Sequence, residues 1–146
     1  MAQIKTSIRI RCSQEKVFAF VTDFRNDEKW WKTVIHTEKI TEGAVGVGTR
    51  FRQTAKVMLF TVHNDFEIVE YDPPHHMRAI NRSPELAYDV IYRFTATETD
   101  TTYTMIAQLE AKGVLRWLLP ITLRVLKGQS QRFFSGLKTY LETHEV

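Results

Sequence analysis

The feature that most constrains this chain is a change of hydrophobic period along its length. From residue 33 to about residue 111, apolar and polar residues alternate with a period of two, which is typical of β-strands with one covered face. The last thirty residues instead carry apolar side chains at helical spacing. We therefore expect an α+β fold in which an antiparallel sheet is followed by one long helix that lies across its covered face.

Six segments carry the alternation, and turn residues separate them. The segments span 33–41, 49–59, 60–71, 75–82, 86–98 and 101–112. The alternation is clearest in the last two, where Tyr88, Val90 and Tyr92, and then Tyr103 and Met105, share one face. We expect that face to be the covered one.

A further strand and two short helices are predicted ahead of these six segments. Residues 3–11 alternate like a strand, and Ser13 then occupies the position of a helix N-cap. A second short helix is predicted around 24–31, where Asp27 and Glu28 stand early and suit the helix dipole. Since no Gly/Ser-rich linker divides the sequence, we predict a single domain spanning residues 1–146.

Composition limits the classes of function. The net charge is only +3, and the basic residues are scattered, so we expect no nucleic-acid partner. One cysteine excludes an internal disulfide and a cysteine-based zinc site. The first twelve residues lack the apolar run of a secretory signal, and the longest apolar stretch, 113–123, is too short to span a bilayer. These features predict a soluble, cytoplasmic protein.

The glycines of the stretch EGAVGVGTRF (42–51) raise the question of a phosphate-binding loop. Such a loop has the order G-x-G-x-x-G, or ends in G-K-[ST], and it leads into a helix. Here the order is G-x-x-G-x-G, and a strand-like segment follows. We therefore predict that Gly43, Gly46 and Gly48 supply positive φ angles, with Gly46 and Gly48 as turn and bulge positions, and we expect no nucleotide cofactor.

Four motifs together resemble a known superfamily. They are VFAFVTDFRNDEKWW (17–31), EGAVGVGTRFR (42–52), EIVEYDPPHHM (67–77) and RFFSGLKTYLE (132–142). The chain is similar to the SRPBCC superfamily, the START/Bet v 1-like helix-grip proteins, and within it to the polyketide cyclase/dehydrase-like group. The resemblance implies a seven-stranded antiparallel sheet curled around a long C-terminal helix, with an internal hydrophobic cavity between them. Members bind or transform lipids, polyketides and other apolar molecules, so the fold does not fix the activity.

A cavity between sheet and helix has candidate wall residues in this sequence. The apolar and aromatic candidates are Phe51, Tyr88, Val90, Tyr92, Tyr103, Met105, Leu119 and Phe133. Polar residues in phase with apolar ones are more informative, because burying an unpaired polar group costs ~1–3 kcal/mol. Those polar candidates are His36, Gln53, Asn64 and Asn81. Each of these residues also has an ordinary interpretation as a core residue satisfied by its neighbours.

Three other features bear on the site. Trp30 and Trp31 are candidates for a gate at the cavity mouth or for pinning the second helix to the sheet. His75 and His76 are adjacent in a strand, so they point to opposite faces and cannot jointly hold a metal, and we expect no metal site. The arginines and Lys127 around the apolar stretch 114–126 suit a transient contact with an anionic membrane surface, although a solvated helix face is the commoner explanation of such residues.

The interpretation we favour is a binder of a small hydrophobic or amphipathic ligand, lipid-like or polyketide-like. Two alternatives stay open. One is a cyclase or dehydratase that uses a cavity Tyr, Asn or His as acid or base, although we identify no carboxylate pair on the covered face. The other is a module that binds a protein partner. The sequence leaves the ligand and the oligomeric state open.

Overall fold

The structure is a computed structural model that describes residues 2–57, 59–81, 86–111 and 114–144. Its elements are β1 (Ala2–Ile10), α1 (Gln14–Thr22), a 3₁₀ turn (Phe24–Asn26), α2 (Asp27–Trp30), β2 (Val34–Lys39), β3 (Arg50–Val57), β4 (Phe60–Asp72), β5 (His76–Asn81), β6 (Leu86–Ala96), β7 (Thr101–Ala111) and α3 (Val114–Thr143). This is the predicted order of a strand, two short helices, six strands and a long helix.

The seven strands form one antiparallel sheet in the order β1-β7-β6-β5-β4-β3-β2. Consecutive strands pair from β2 to β7, and β1 closes the order by pairing with β7. The helix α3 packs against β1, β7 and α2. A seven-stranded antiparallel sheet curled around a C-terminal helix is the helix-grip fold, which confirms the predicted fold class.

The part of α3 that packs on the sheet lies within residues 131–143. Its buried side chains are Phe133, Phe134, Leu137 and Leu141, which follow one another at helical spacing. The ring of Phe134 stacks on Tyr103 of β7 with centroids 5.0 Å apart. The core therefore sits between this half of α3 and the face of the sheet that carries Tyr103 and Met105.

The first helix, α1, packs on the covered face of the sheet. Ser13 caps α1 as predicted, because its side chain accepts a hydrogen bond from the backbone N–H of Lys16. The buried face of α1 is apolar, with Phe18 edge-on to Phe94 of β6 at 5.1 Å. This packing fixes α1, and the chain that follows it, over the covered face of the sheet.

The glycine segment forms the turn between β2 and β3, as predicted, but the positive φ angles fall differently. Gly43 and Gly48 have φ of +90°. Gly48 is also tied to β4, since its N–H donates to the carbonyl of Ile68 at 2.8 Å. Gly46 does not have a positive φ, so that part of the prediction is wrong. Thr49 holds Gly46 instead, through a hydrogen bond from the Gly46 N–H to Thr49 Oγ1 at 2.9 Å.

We expect Gly48→Ala to lower the free energy of unfolding by roughly 1–3 kcal/mol, because alanine at φ +90° is strained. Gly46→Ala is the matched control. An added Cβ there meets no atom within 4 Å, and the backbone is not left-handed, so its stability should change little. Urea unfolding of both variants measures the difference. Equal losses in the two variants would contradict the turn geometry described here.

Candidate ligand cavity

A cavity of about 140 Å³ lies between the covered face of the sheet, the segment around α2, and α3. Most of its wall is apolar and is formed by Ile4, Phe24, Trp31, Val34, Ala55, Phe66, Val90, Met105, Ala107, Leu109 and Phe133. The polar part consists of Asp27, Thr33, Gln53, Lys56, Asn64, Tyr88 and Tyr92. A mainly apolar wall with a few convergent polar groups is typical of a small-molecule site.

The structure brings about half of the proposed site residues into this wall. Those are Gln53, Asn64, Tyr88, Val90, Tyr92, Met105 and Phe133. Phe51 and Tyr103 are instead buried in the surrounding core. The side chain of Leu119 lies outside the described part of the structure. Contact of any of these residues with a ligand stays a prediction.

Asn81 supports the wall rather than forming it. It is buried, and its side-chain Nδ2 donates to Asn64 Oδ1 at 3.0 Å. Its own Oδ1 accepts from the backbone N–H of Asp65 at 3.2 Å. Asn81 therefore fixes the amide of Asn64, and Asn64 is the member of the pair that lines the cavity.

The two tryptophans separate into different places. Trp31 lines the cavity, and its ring lies 5.7 Å from that of Phe133 on α3. Trp30 is buried beside Phe134, with ring centroids 6.2 Å apart, so it packs α2 against α3. Its indole N–H is buried with no hydrogen-bond partner among the described residues. Trp31 therefore borders the cavity, whereas Trp30 is not part of the cavity wall.

His36 does not face the cavity, so its predicted place is wrong. The strand β2 has an irregularity in register between Val34 and His36, which moves the alternation by one residue. The imidazole of His36 is 66% exposed and lies 3.4 Å from a carboxylate oxygen of Glu28. Thr37 takes the inward position and is buried.

The sequence analysis missed the most unusual cavity residue, Asp27. It stands at the start of α2, where we took it as an ordinary acidic residue of a helix N-terminus. The structure buries it in the cavity wall, where its Oδ2 accepts a hydrogen bond from Gln53 Nε2 at 2.9 Å. The same nitrogen of Gln53 donates to Thr37 Oγ1 at 3.1 Å. No strand alternation could have revealed Asp27, because it reaches the covered face from a helix.

Burial raises the pKa of Asp27 from 3.8 to about 8. The hydrogen bond from Gln53 opposes this shift, while the nearby negative charges of Asp23 and Glu28 add to it. A carboxyl group desolvated in this way holds its proton at neutral pH, since the charged form lacks a compensating cation. Asp27 is therefore a neutral carboxylic acid in the cavity at pH 7, able to donate a hydrogen bond.

Two tyrosines complete the polar part of the wall. Burial raises the pKa of Tyr92 well above its ordinary value, and the negative charge of Asp27 adds to that effect. Burial also raises the pKa of Tyr88 to about 12. Both hydroxyls are thus neutral at physiological pH. The cavity offers neutral donors in apolar surroundings, a combination that binds uncharged polar groups better than ions.

Features outside the cavity have a weaker claim to function. Within the described ranges, no group of three or more His, Cys, Asp or Glu could hold a metal ion. His76 lies 3.7 Å from Glu70 and 3.6 Å from Asp72, while His75 is exposed in the turn before β5. Among the helices of the described residues, none has a stretch long and apolar enough to cross a membrane.

Contact with a membrane surface stays a prediction. Trp117 is 85% exposed on the first half of α3, and Leu118 and Ile121 are also exposed. Arg116 and Arg124 are exposed on the same stretch of helix. Aromatic and basic side chains of this kind suit the interface of an anionic membrane.

Comparison with known proteins places the chain in a family. A family model described as polyketide cyclase / dehydrase and lipid transport matches residues 1–142. The chain therefore belongs to this family, which agrees with the resemblance seen in its four motifs. Comparison with curated proteins finds no match.

Solved structures share the fold at low sequence identity. TTHA0849 from Thermus thermophilus is 18% identical, with a TM-score of 0.81 over 94% of this chain and 95% of that one. A START superfamily protein from Mycobacterium smegmatis is 11% identical, with a TM-score of 0.71 over 96% and 94%. The di-domain ARO/CYC BexL from the BE-7585A biosynthetic pathway is 14% identical, with a TM-score of 0.75 over 97% of this chain and 47% of that one. At these identities the likeness concerns the fold alone.

Proposed function

We propose that this protein binds a small, uncharged, largely apolar molecule in the cavity between its sheet and α3. The observation that carries the proposal is the cavity wall, in which aromatic and aliphatic side chains surround the neutral polar groups of Asp27, Asn64 and Tyr92. Family membership supports a role in ligand binding or polyketide processing. The family description names polyketide cyclases and dehydrases, and a polyketide-like ligand is one candidate on that ground.

The volume of the cavity limits the ligand. A cavity of about 140 Å³ is close to the ~150 Å³ that holds a single benzene ring in an engineered protein. Typical pockets for drug-sized ligands are larger, at roughly 300–1,000 Å³. We therefore expect the cavity to enclose one ring or a short acyl segment, with any larger part of the ligand extending outside it.

An enzyme is the second candidate, and one observation favours it. A carboxyl group whose pKa is raised to about 8 can both give and take a proton near neutral pH. Asp27 lies in the cavity wall together with Tyr92. A cyclase or dehydratase needs such a group beside its substrate, and this residue fits the role better than the Tyr, Asn or His that the sequence suggested.

The losses of ligand affinity and of turnover in single variants distinguish a carrier from an enzyme. In a carrier, Tyr92→Phe and Asn64→Leu should each weaken binding less than about tenfold, because each removes one hydrogen bond worth ~0.5–1.5 kcal/mol. In an enzyme, Asp27→Asn should lower turnover 10²–10⁴-fold with little change in affinity. We expect the graded pattern. The measurement uses the ligand that native mass spectrometry finds after gentle purification, together with turnover of unsaturated polyketide analogues.

Turnover by the wild type that Asp27→Asn abolishes at unchanged affinity would replace the carrier by the enzyme. Absence of both a co-purified ligand and saturable binding of a hydrophobic reporter dye would remove both candidates.

A further inference from the structure

The two oxygens of the Asp27 carboxyl have different surroundings. Oδ2 accepts from Gln53 Nε2 at 2.9 Å, and that nitrogen gives its other hydrogen to Thr37 Oγ1 at 3.1 Å. Both amide hydrogens of Gln53 are thus used, and Oδ2 is an acceptor. Among the described residues, Oδ1 has no hydrogen-bond partner. Asp27 lines the cavity. Because Oδ2 is engaged as an acceptor, we assign the proton of the neutral acid to Oδ1.

A second donor belongs to the same wall. Tyr92 lines the cavity from β6, and its ring stacks on Tyr103 with centroids 6.3 Å apart, which fixes its position. The described residues offer its hydroxyl no hydrogen-bond acceptor. Among the described residues, the fully buried side-chain polar atom without a partner is Trp30 Nε1, so the Tyr92 hydroxyl is accessible from the cavity, where a ligand oxygen can accept its hydrogen bond.

The charged and titratable groups around Asp27 do not supply a cation to it. The groups that interact electrostatically with the Asp27 carboxyl are Asp23, Glu28, Tyr92 and Tyr103. Glu28 is itself beside His36 at 3.4 Å. Lys56 is the basic residue of the described cavity wall, and its side chain is exposed. Apart from Lys56, the polar groups of the described cavity wall carry no positive charge.

We propose that Asp27 makes the cavity selective for uncharged ligands that carry a carbonyl oxygen, which its Oδ1 hydroxyl and the Tyr92 hydroxyl bind by hydrogen bonds. This inference rests on the proposed binding function and adds the chemical class of the ligand. Asp27 acts here as a specificity-determining residue. When its proton is lost, a carboxylate oxygen faces the carbonyl oxygen, and the preference for the carbonyl weakens, although the Tyr92 hydroxyl still donates.

Two ring compounds of nearly the same shape test the proposal. Cyclohexanone carries C=O where methylenecyclohexane carries C=CH₂, so the ratio of their dissociation constants isolates the carbonyl. Ligand titrations followed by NMR at pH 6 and pH 9.5 measure this ratio. In the wild type, we expect the preference for the ketone to fall about tenfold between the two pH values.

Two variants distinguish the effect of the Asp27 proton on the ketone preference from the effect of the shape of the site. Asp27→Asn keeps a donor and has no charge to lose, so its ketone preference should be the same at both pH values. Asp27→Leu has neither a donor nor a charge at this position, so its ketone preference at pH 6 should be weaker than that of the wild type and should not change at pH 9.5. Asp27→Asn preserves the acceptor for Gln53, so it still tests the proposal if the leucine variant does not fold.

The outcomes distinguish this inference from the proposed function. Binding of both compounds with a ratio that neither pH nor Asp27→Asn alters would overturn the selectivity and leave the apolar cavity in place. Binding of neither compound would overturn the cavity as a ligand site, and the selectivity with it.

Discussion

Asp27→Asn is expected to raise the free energy of unfolding by several kcal/mol at pH 9 and to leave it almost unchanged near pH 4. The folded wild type binds a proton at Asp27 with a pKa of about 8, against 3.8 for the ordinary group. Between these values the folded state keeps a proton that the unfolded state has released. Stability of the wild type therefore falls as the pH rises, by up to about 1.4 kcal/mol per pH unit, and the loss is complete above pH 8.

Asparagine has no proton to lose, so this pH dependence should vanish in the variant. Its amide oxygen can still accept the hydrogen bond from Gln53. Chemical unfolding at pH 4, 6, 8 and 9 gives the two stability profiles. Glu98→Gln removes an exposed carboxylate and serves as the control. Parallel profiles for the wild type and Asp27→Asn would show that Asp27 titrates normally, and the description of the buried acid would be wrong.

Ala107→Phe is expected to weaken ligand binding at least a hundredfold while the protein stays folded. Ala107 lies in the cavity wall on β7, between Val90 of β6 and Ile4 of β1. A phenyl ring there would fill most of a 140 Å³ space, because ~150 Å³ holds one benzene ring. Displacement of a hydrophobic reporter dye measures the loss, and circular dichroism verifies the fold.

The neighbouring residue provides a matched control for the plug. Gln108 is exposed on the opposite face of the same strand, so Gln108→Phe adds the same ring outside the cavity. We expect its dye binding to equal that of the wild type. Full dye binding in a folded Ala107→Phe protein would place the binding site elsewhere.

The fold was predictable because its elements differ in hydrophobic period. The alternation around Tyr92 and Met105 identified the covered face, and both residues are buried there. The stripe that includes Phe133 and Leu137 identified the helix that covers it, and both are buried as well. Period depends only on which residues face the core, so a single sequence is enough to detect it.

The site was less predictable, since local departures from the regular pattern decide it. His36 was assigned by alternation, and the change of register in β2 turned it outward. Gly46 was assigned by its place among glycines, but the positive φ falls on Gly43 and Gly48. Asp27 was missed because its burial depends on where α2 meets β3, a tertiary relation that no local pattern carries.

The sheet order has a consequence for how the chain reaches its native state. The first strand pairs only with the last one, so that Ala2 lies opposite Leu109. On the ribosome, β1 therefore waits without a partner until residues 101–111 have left the exit tunnel. Contacts this distant in sequence have a high loop-closure cost and slow the search. We expect the meander from β2 to β7 to form first, with β1 and α3 docking onto it as the late, rate-limiting step of folding.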